Sequence, residues 1–257
     1  MTGDIGSETP TDLKTDPVIS PKNTSARGLR RIMNRARVLE KERGISKPNE
    51  DPKITRKHSI AVAAIETTSE LAFKDPLTGL HNRRWLEDDL DRRIATAERS
   101  NNPLYVVFMD YDNFKDFNSA YGHAGGDKVI QLASRIHTRP DEPLSRYAGD
   151  EFIQSIEHQW LDSREIRRAL TRYQETVLEE SRTLLADLPV IEGVDPAAVR
   201  REVTMTFGVA KYEGESREEL IRKANLAMLH AKTEGKNNAF IAEKGTTGSD
   251  FKFTQIK

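Results

Sequence analysis

Two acids, Asp110 and Asp112, close the run Phe108-Met109-Asp110-Tyr111-Asp112. Spaced two apart, they turn their carboxylates to one face of an extended backbone. Carboxylates at the end of a buried strand are costly unless a cation or hydrogen-bond donors neutralise them. Hard oxygen ligands of this kind suit Mg2+, which takes one or two carboxylates and completes its shell with water and substrate phosphates. Acids after a strand also occur as plain solvated turn residues, and the pair alone leaves both readings open.

A second acidic pair follows a turn of small residues, Ala148-Gly149-Asp150-Glu151. Small side chains let a bulky ligand approach the backbone, and adjacent acids put one carboxylate on each face of a strand. If this hairpin lies beside the first strand, Asp110 meets Asp150 or Glu151 at a shared metal. A solvent-exposed hairpin tip is the plainer reading. Between the pairs, Asn118 and Asp127 offer an amide and a bidentate acceptor that suit the N1–H and N2 amine of guanine. Asp127 also precedes an apolar-periodic run, where it would serve as an N-cap. Lys232 and Lys236 stand four apart on one helical face, placed either to contact phosphates or as ordinary helix-end charges.

The elements that must position these residues alternate along the chain. Residues 85–99 repeat Leu86, Leu90, Ile94 and Ala97 with helical period. Residues 104–110 form a near-continuous apolar run, as in a buried strand. Residues 127–137 return to helical period through Val129, Ile130, Ala133 and Ile136. Residues 144–147 and 151–156 read as a hairpin around Ala148-Gly149. A long helix over 163–188, a β-branched strand over 203–210, a helix over 217–233 and a short strand over 239–242 complete the pattern. Interleaved strands and helices predict an α/β architecture with helices covering a central sheet.

Five motifs in order resemble the GGDEF domain, the catalytic domain of diguanylate cyclases, from about residue 75 to 240. They are Asp75-Pro76-Leu77-Thr78-Gly79-Leu80-His81-Asn82-Arg83-Arg84; Asp110-Tyr111-Asp112-Asn113-Phe114-Lys115, with Asn118 and Gly122-His123-Ala124-Gly125-Gly126-Asp127 after it; Arg146-Tyr147-Ala148-Gly149-Asp150-Glu151-Phe152; 203–210; and Ala231-Lys232-Thr233-Glu234-Gly235-Lys236-Asn237. The resemblance implies an α+β fold like polymerase palms and nucleotidyl cyclases, with a mainly antiparallel sheet flanked by helices. It implies Mg2+ (or Mn2+) held by Asp110, Asp150 and the Tyr111 carbonyl, and a catalytic set of Asp150, Glu151 and Lys115. Asp150 helps deprotonate the attacking ribose 3′-hydroxyl. Asn113, Phe114, Lys115, Lys232 and Lys236 hold the triphosphate, while Asn118 and Asp127 read guanine beside His123. Two subunits, each with one GTP, then face each other as a homodimer to form cyclic di-GMP and pyrophosphate.

The sequence departs from the family pattern at several points. Ala148 replaces the first signature glycine, where a methyl group could strain a positive φ or crowd the ribose. Ser119 stands in place of Asp. Lys236 stands in place of Arg, which loses the bidentate fork but keeps the charge. Asn225 and Leu229 replace Asp and Tyr. Arg139-Pro140-Asp141-Glu142 aligns with the inhibitory product site of the family, Glu replacing its usual Asp, so Arg139 and Glu142 are the candidate residues for product inhibition. The alternative on the same fold is a catalytically inactive GTP- or cyclic di-GMP-binding regulator, with Ala148 as the sign of decay.

Composition narrows the remaining classes. The 257 residues carry 40 Lys and Arg against 41 Asp and Glu, with no cysteine, which excludes disulfide, thiolate-metal and cysteine-nucleophile chemistry. Mean hydropathy is −0.67. The longest apolar runs, 60–65 and 104–109, fall far short of the ~20 residues of a membrane helix. No basic region followed by an apolar stretch opens the chain, so no secretion signal is expected and a cytoplasmic protein with no membrane partner is. Residues 1–57 hold 13 Lys and Arg against 8 acids, leaving a net −6 on the rest. The basic stretch 27–57 has no interleaved aromatics, so a nucleic-acid partner is not expected. The expected organisation is a largely disordered basic extension over 1–54, a signalling or dimerisation helix over 55–74, the catalytic domain over 75–243 and a tail over 244–257.

Overall fold

The apolar run that ends in Asp110 becomes the middle strand of a seven-stranded sheet. The computed structural model describes residues 72–136, 138–139, 141–157, 163–195, 199–244 and 251–256, together with Ile60 and Ala64, both helical. The extension 1–54 and most of the helix read over 55–74 lie outside the described residues. Residues 70–257 form one unit. In chain order the strands are β1 (His81–Asn82), β2 (Leu104–Tyr111), β3 (Leu144–Ala148), β4 (Glu151–Glu157), β5 (Met205–Lys211), β6 (Ala239–Lys244) and β7 (Phe251–Gln255). They pair in the order β1-β3-β4-β2-β5-β6-β7. Only β1–β3 and β5–β6 are parallel; the other neighbours are antiparallel, as the sequence resemblance implied.

Alternation along β2 sends its side chains into two cores. Val107, Met109 and Tyr111 face α2 (Phe114–Gln131) and α3 (Ser163–Asp187), meeting Phe117, Tyr121, Ile130, Leu170 and Tyr173. Val106 and Phe108 face α1 (Arg83–Ser100) and α4 (Arg217–Thr233), meeting Leu86, Leu90, Leu220 and Met228. Local signals set the helix starts. The Asn82 side chain accepts from the Trp85 N–H at 3.0 Å at the head of α1, and the Ser216 hydroxyl accepts from Glu219 at 3.2 Å at the head of α4. Among the described residues no helix is long and apolar enough to cross a membrane.

Two expectations need correction. The helix read over 127–137 starts earlier, at Phe114, and continues as a 3-10 turn over Leu132–Arg135. It kinks at Gly122, whose φ is 69°, and Asp127 lies inside the second limb rather than capping it. Gly125 and Gly126 look like breakers but serve close packing. A Cβ on Gly126 would sit 1.9 Å from the Asn118 Oδ1, and one on Gly125 would sit 2.4 Å from the Tyr121 Cβ. The segment read as a tail over 244–257 contributes β7, antiparallel to β6. Its aromatics anchor it to α4, with Phe253 stacked on His230 at 4.6 Å and the Arg222 guanidinium 5.4 Å over Phe251.

Gly208 of β5 fixes how closely α4 approaches the sheet. A Cβ there would lie 2.1 Å from the Ala224 carbonyl oxygen and 2.2 Å from the Met228 nitrogen. These are backbone atoms and cannot rotate away. Gly208→Ala is therefore expected to push α4 off the sheet and destabilise the fold by about 1–3 kcal/mol, the usual cost of overpacking. Chemical denaturation measures this, and an unchanged midpoint would show that α4 shifts freely.

Candidate functional site

Asp110 and Asp112 share a face, as their spacing predicts, yet they meet different partners. Asp110 is 8% exposed and its Oδ1 accepts a short hydrogen bond from the Lys232 ammonium near the end of α4. Asp112 is 2% exposed, and donors surround its carboxylate. Thr206 Oγ1 donates to Oδ1 at 2.6 Å, Thr204 Oγ1 donates to Oδ2 at 2.7 Å, and the Asn237 N–H reaches Oδ2 at 3.0 Å. Only Asp110 of the pair has a side-chain ammonium as its partner.

The hairpin lies beside β2, and register puts Glu151 directly across from Asp110. Asp150 occupies the tight turn with Gly149, whose φ is 47°. Ala148 ends β3 opposite Glu151 and its φ is not positive, so its methyl group does not strain the turn. Arg146 braces the turn: its Nε donates to the Gly149 carbonyl at 2.8 Å and its Nη1 to Asp75 at 3.1 Å. Asp75 in turn accepts from the Thr78 N–H at 2.8 Å, tying the hairpin to the segment that leads into the domain.

Asp110, Asp150 and Glu151 are partly desolvated and near enough to feel one another's charge. Burial raises the Asp110 carboxyl to about 6; Lys232 opposes that rise, while Asp150 and Glu151 add to it. Burial also raises Asp150, opposed by Lys232 and Arg146. Glu151 is raised by burial and by the charge of Asp150.

The head of α2 opens toward the same end of the sheet. Asn113 precedes it at φ 57° and makes no side-chain cap; its Oδ1 instead accepts from the Lys236 ammonium at 2.5 Å. The first N–H groups of the helix are thereby left without a side-chain cap, the arrangement that receives phosphates and other anions. Phe114 and Lys115 open the helix, with Lys115 exposed. One turn on, the Gly122 kink folds the second limb back so that the half-buried Asn118 lies against Gly126, next to exposed Asp127. His123 is exposed just past the kink. Ser119 donates to the Lys115 carbonyl at 3.0 Å and stays within its helix.

Arg139 and Glu142 stand apart from this cluster. Glu142 is buried, and its carboxylate lies 3.4 Å from the more exposed Arg139 guanidinium. Arg93 donates to the Asp141 carbonyl at 2.6 Å and Gln154 to the Glu142 carbonyl at 2.8 Å, which pins the loop. Thr204, Thr206 and Asn237 were not singled out in the sequence as partners of Asp112. The usable signal was the period of two shared by Thr204 and Thr206, which matches Asp110 and Asp112 once β5 pairs with β2.

Comparison with known proteins agrees with this fold. The family model described as "Diguanylate cyclase, GGDEF domain" matches residues 72–238. The bifunctional diguanylate cyclase/cyclic di-GMP phosphodiesterase MucR of Pseudomonas aeruginosa is 36% identical over 176 residues, 65% of this chain and 23% of its own length. The diguanylate cyclase DgcP of the same species is 30% identical over 182 residues, 69% of this chain and 25% of its own. The chain therefore spans about a quarter of these curated relatives. Among solved structures, the GGDEF domain of DgcB from Caulobacter crescentus in complex with c-di-GMP superposes with a TM-score of 0.56 at 26% identity. That match covers 66% of this chain and 93% of the other.

The donor set fits Mg2+. Among the described residues no three His, Asp or Glu side chains gather closely enough to hold a metal alone, and Mg2+ does not need three, since it binds through one or two carboxylates plus phosphates. The raised Asp110 and Asp150 carboxyls mark a place short of positive charge. The sign of the linkage follows. Asp110 at about 6 lies above the ~3.9 of a free aspartate, so its stabilising contribution is full below the free value and lost as pH rises through about 6. In thermal melts without divalent cation, wild type is expected to lose stability over that window relative to Asp110→Asn. Adding Mg2+ at mildly alkaline pH is expected to raise the melting temperature of wild type and leave the variant unmoved. Parallel pH profiles and an equal Mg2+ response would refute this assignment.

Proposed function

The chain belongs to the GGDEF family of diguanylate cyclase domains, and on that premise we propose that it condenses two molecules of GTP into cyclic di-GMP and pyrophosphate in the cytoplasm. The observation that carries the reading is the uncapped head of α2, set among Lys232, Lys236 and the acids Asp110 and Asp150. It joins an anion seat to a carboxylate pair, as phosphoryl transfer with a metal requires.

The residues divide the work by chemistry. Backbone N–H groups at Asn113 and Phe114, with Lys115, Lys232 and Lys236, hold the triphosphate. Asn118 and Asp127 read the guanine edge beside His123, and the retained acid at 127 favours GTP over ATP. Asp110, Asp150 and the Tyr111 carbonyl would hold Mg2+, which supplies charge neutralisation at the phosphates and lowers the pKa of the attacking oxygen. Lys232 then exchanges its Asp110 partner for phosphate. Asp150, raised by burial, accepts the ribose 3′-hydroxyl proton with Glu151 alongside. A 3′-oxygen–α-phosphorus bond forms, the bond from the α-phosphorus to the bridging oxygen breaks, and pyrophosphate leaves.

Ala148 with its ordinary φ supports the catalytic reading over a binding-only regulator. Arg139 and Glu142 remain the candidates for product inhibition, with the Arg139 guanidinium exposed enough to meet a nucleotide. Each subunit supplies one GTP, so two copies must face each other for both phosphodiester bonds to form. The helix read over 55–74 would bring them together.

Two experiments test the reading. Chromatography of products after incubating the protein with GTP and Mg2+ is expected to show cyclic di-GMP and pyrophosphate, with none from ATP alone and none from Asp150→Ala. GTP bound without turnover by wild type would establish the regulator instead. A chain starting at Leu71 is expected to lose cyclisation much more than GTP binding, and equal activity would refute the role of the helix.

A further inference from the structure

Residues 235–237 hold a conformation that needs outside support. Gly235, Lys236 and Asn237 have successive φ values of 110°, 63° and 48°. Glycine takes positive φ freely and asparagine tolerates it, but Lys236 resists it by about 1–2 kcal/mol. Such a turn persists where its surroundings over-determine it. Here those surroundings converge on Asn237. Its N–H lies 3.0 Å from Asp112 Oδ2 and 3.1 Å from Thr206 Oγ1. Its side-chain oxygen accepts from the Gln174 amide of α3, whose own carbonyl oxygen accepts from the Met205 N–H at 3.0 Å. The next carbonyl, of Asn238, accepts from Phe207 at 3.0 Å.

We propose that Asp112, Thr206 and Gln174 are positioning residues for triphosphate recognition, clamping Asn237 so that Lys236 is presented to the uncapped head of α2. Asp112 is suited to this because it adjoins both corners. Asn113, its chain neighbour, takes positive φ on one side, and Asn237 does so on the other. The Lys236 ammonium meets Asn113 Oδ1 at 2.5 Å across the gap. With the clamp released, residues 236–237 relax to negative φ and the ammonium swings away from the helix head. Guanine recognition pairs Asn118, one turn before the Gly122 kink, with Asp127 beyond it, and neither residue bonds to the clamp. The acid at 112 therefore serves the phosphates without touching them, whereas the acid at 110 serves the metal.

The inference rests on the proposed GTP reading, and the test separates the two. The full chain is titrated with GTP and with guanosine as wild type, Asp112→Asn, Thr206→Val and Gln174→Ala, each also checked by thermal melt. Asp112→Asn removes the carboxylate charge and one of its two acceptor oxygens, and Thr206→Val removes a hydroxyl at constant shape. Gln174→Ala changes a half-buried position on a helix and keeps the test open if a buried variant fails to fold. Folded variants are expected to lose about tenfold in GTP affinity, equivalent to ~1.4 kcal/mol, with guanosine affinity unchanged and turnover falling through KM more than kcat. Variants that melt as wild type yet keep its preference for GTP over guanosine would overturn the clamp. Wild type binding both ligands equally would overturn the reading of the site itself, and the clamp with it.

Discussion

Desolvation of two carboxylates at the end of β2 organises what surrounds them. Asp110 and Asp112 both end in the nearly water-free margin of the sheet, where an uncompensated charge costs several kcal/mol. The fold answers twice, and differently. Asp112 receives fixed donors from two threonines and a backbone N–H, so its charge is settled within the resting protein. Asp110 receives a single lysine and two acidic neighbours that oppose it. Its compensation is incomplete and exchangeable. A site that is to take up a cation with its substrate needs that contrast, one acid held to build the walls and one left short of charge.

Left-handed backbone recurs at the same margin, with strain only at its non-glycine residues. Asn113, Gly122, Gly149, Gly235, Lys236 and Asn237 all have positive φ, and together they shape the head of α2, the bend behind it, the acidic turn and the loop after α4. Strain of this kind is tolerated where the surrounding packing is rigid. The rigid part here is the β4–β2–β5 centre of the sheet, with α4 seated on Gly208. Asp110 and Glu151 ride on paired strands, Lys232 on α4, and Asp150, Asn113 and Lys236 on bends.

Much of this was legible in the sequence. The apolar run before Asp110, the hairpin around Ala148-Gly149 and the periodic helices of 85–99 and 217–233 announce themselves because burial and period are local properties. The start of α2 at Phe114 was not legible, because the apolar period begins only near Val129, with Asp127 before it as a plausible N-cap and glycines at 122, 125 and 126 breaking the pattern upstream. Two of them are required instead by Asn118 and Tyr121 pressing against them. β7 was missed for a related reason: five residues after a polar stretch carry little signal until α4 offers His230 and Arg222 to their aromatics.

The sequence by itself determined which residue types are present and the faces they share, since these follow from spacing and period, and its motifs carried the resemblance to the family. Spacing alone showed Asp110 and Asp112 as equals, and the resemblance singled out Asp110 without a physical reason. The tertiary structure supplied that reason, by bringing in Thr206 of β5 and Thr204 just before it, Asn237 from the loop after α4, and Lys232 from α4 itself. Those partners lie some 90 to 125 positions away along the chain. The fate of a buried charge depends on the donors that reach it in space, and no local pattern records those.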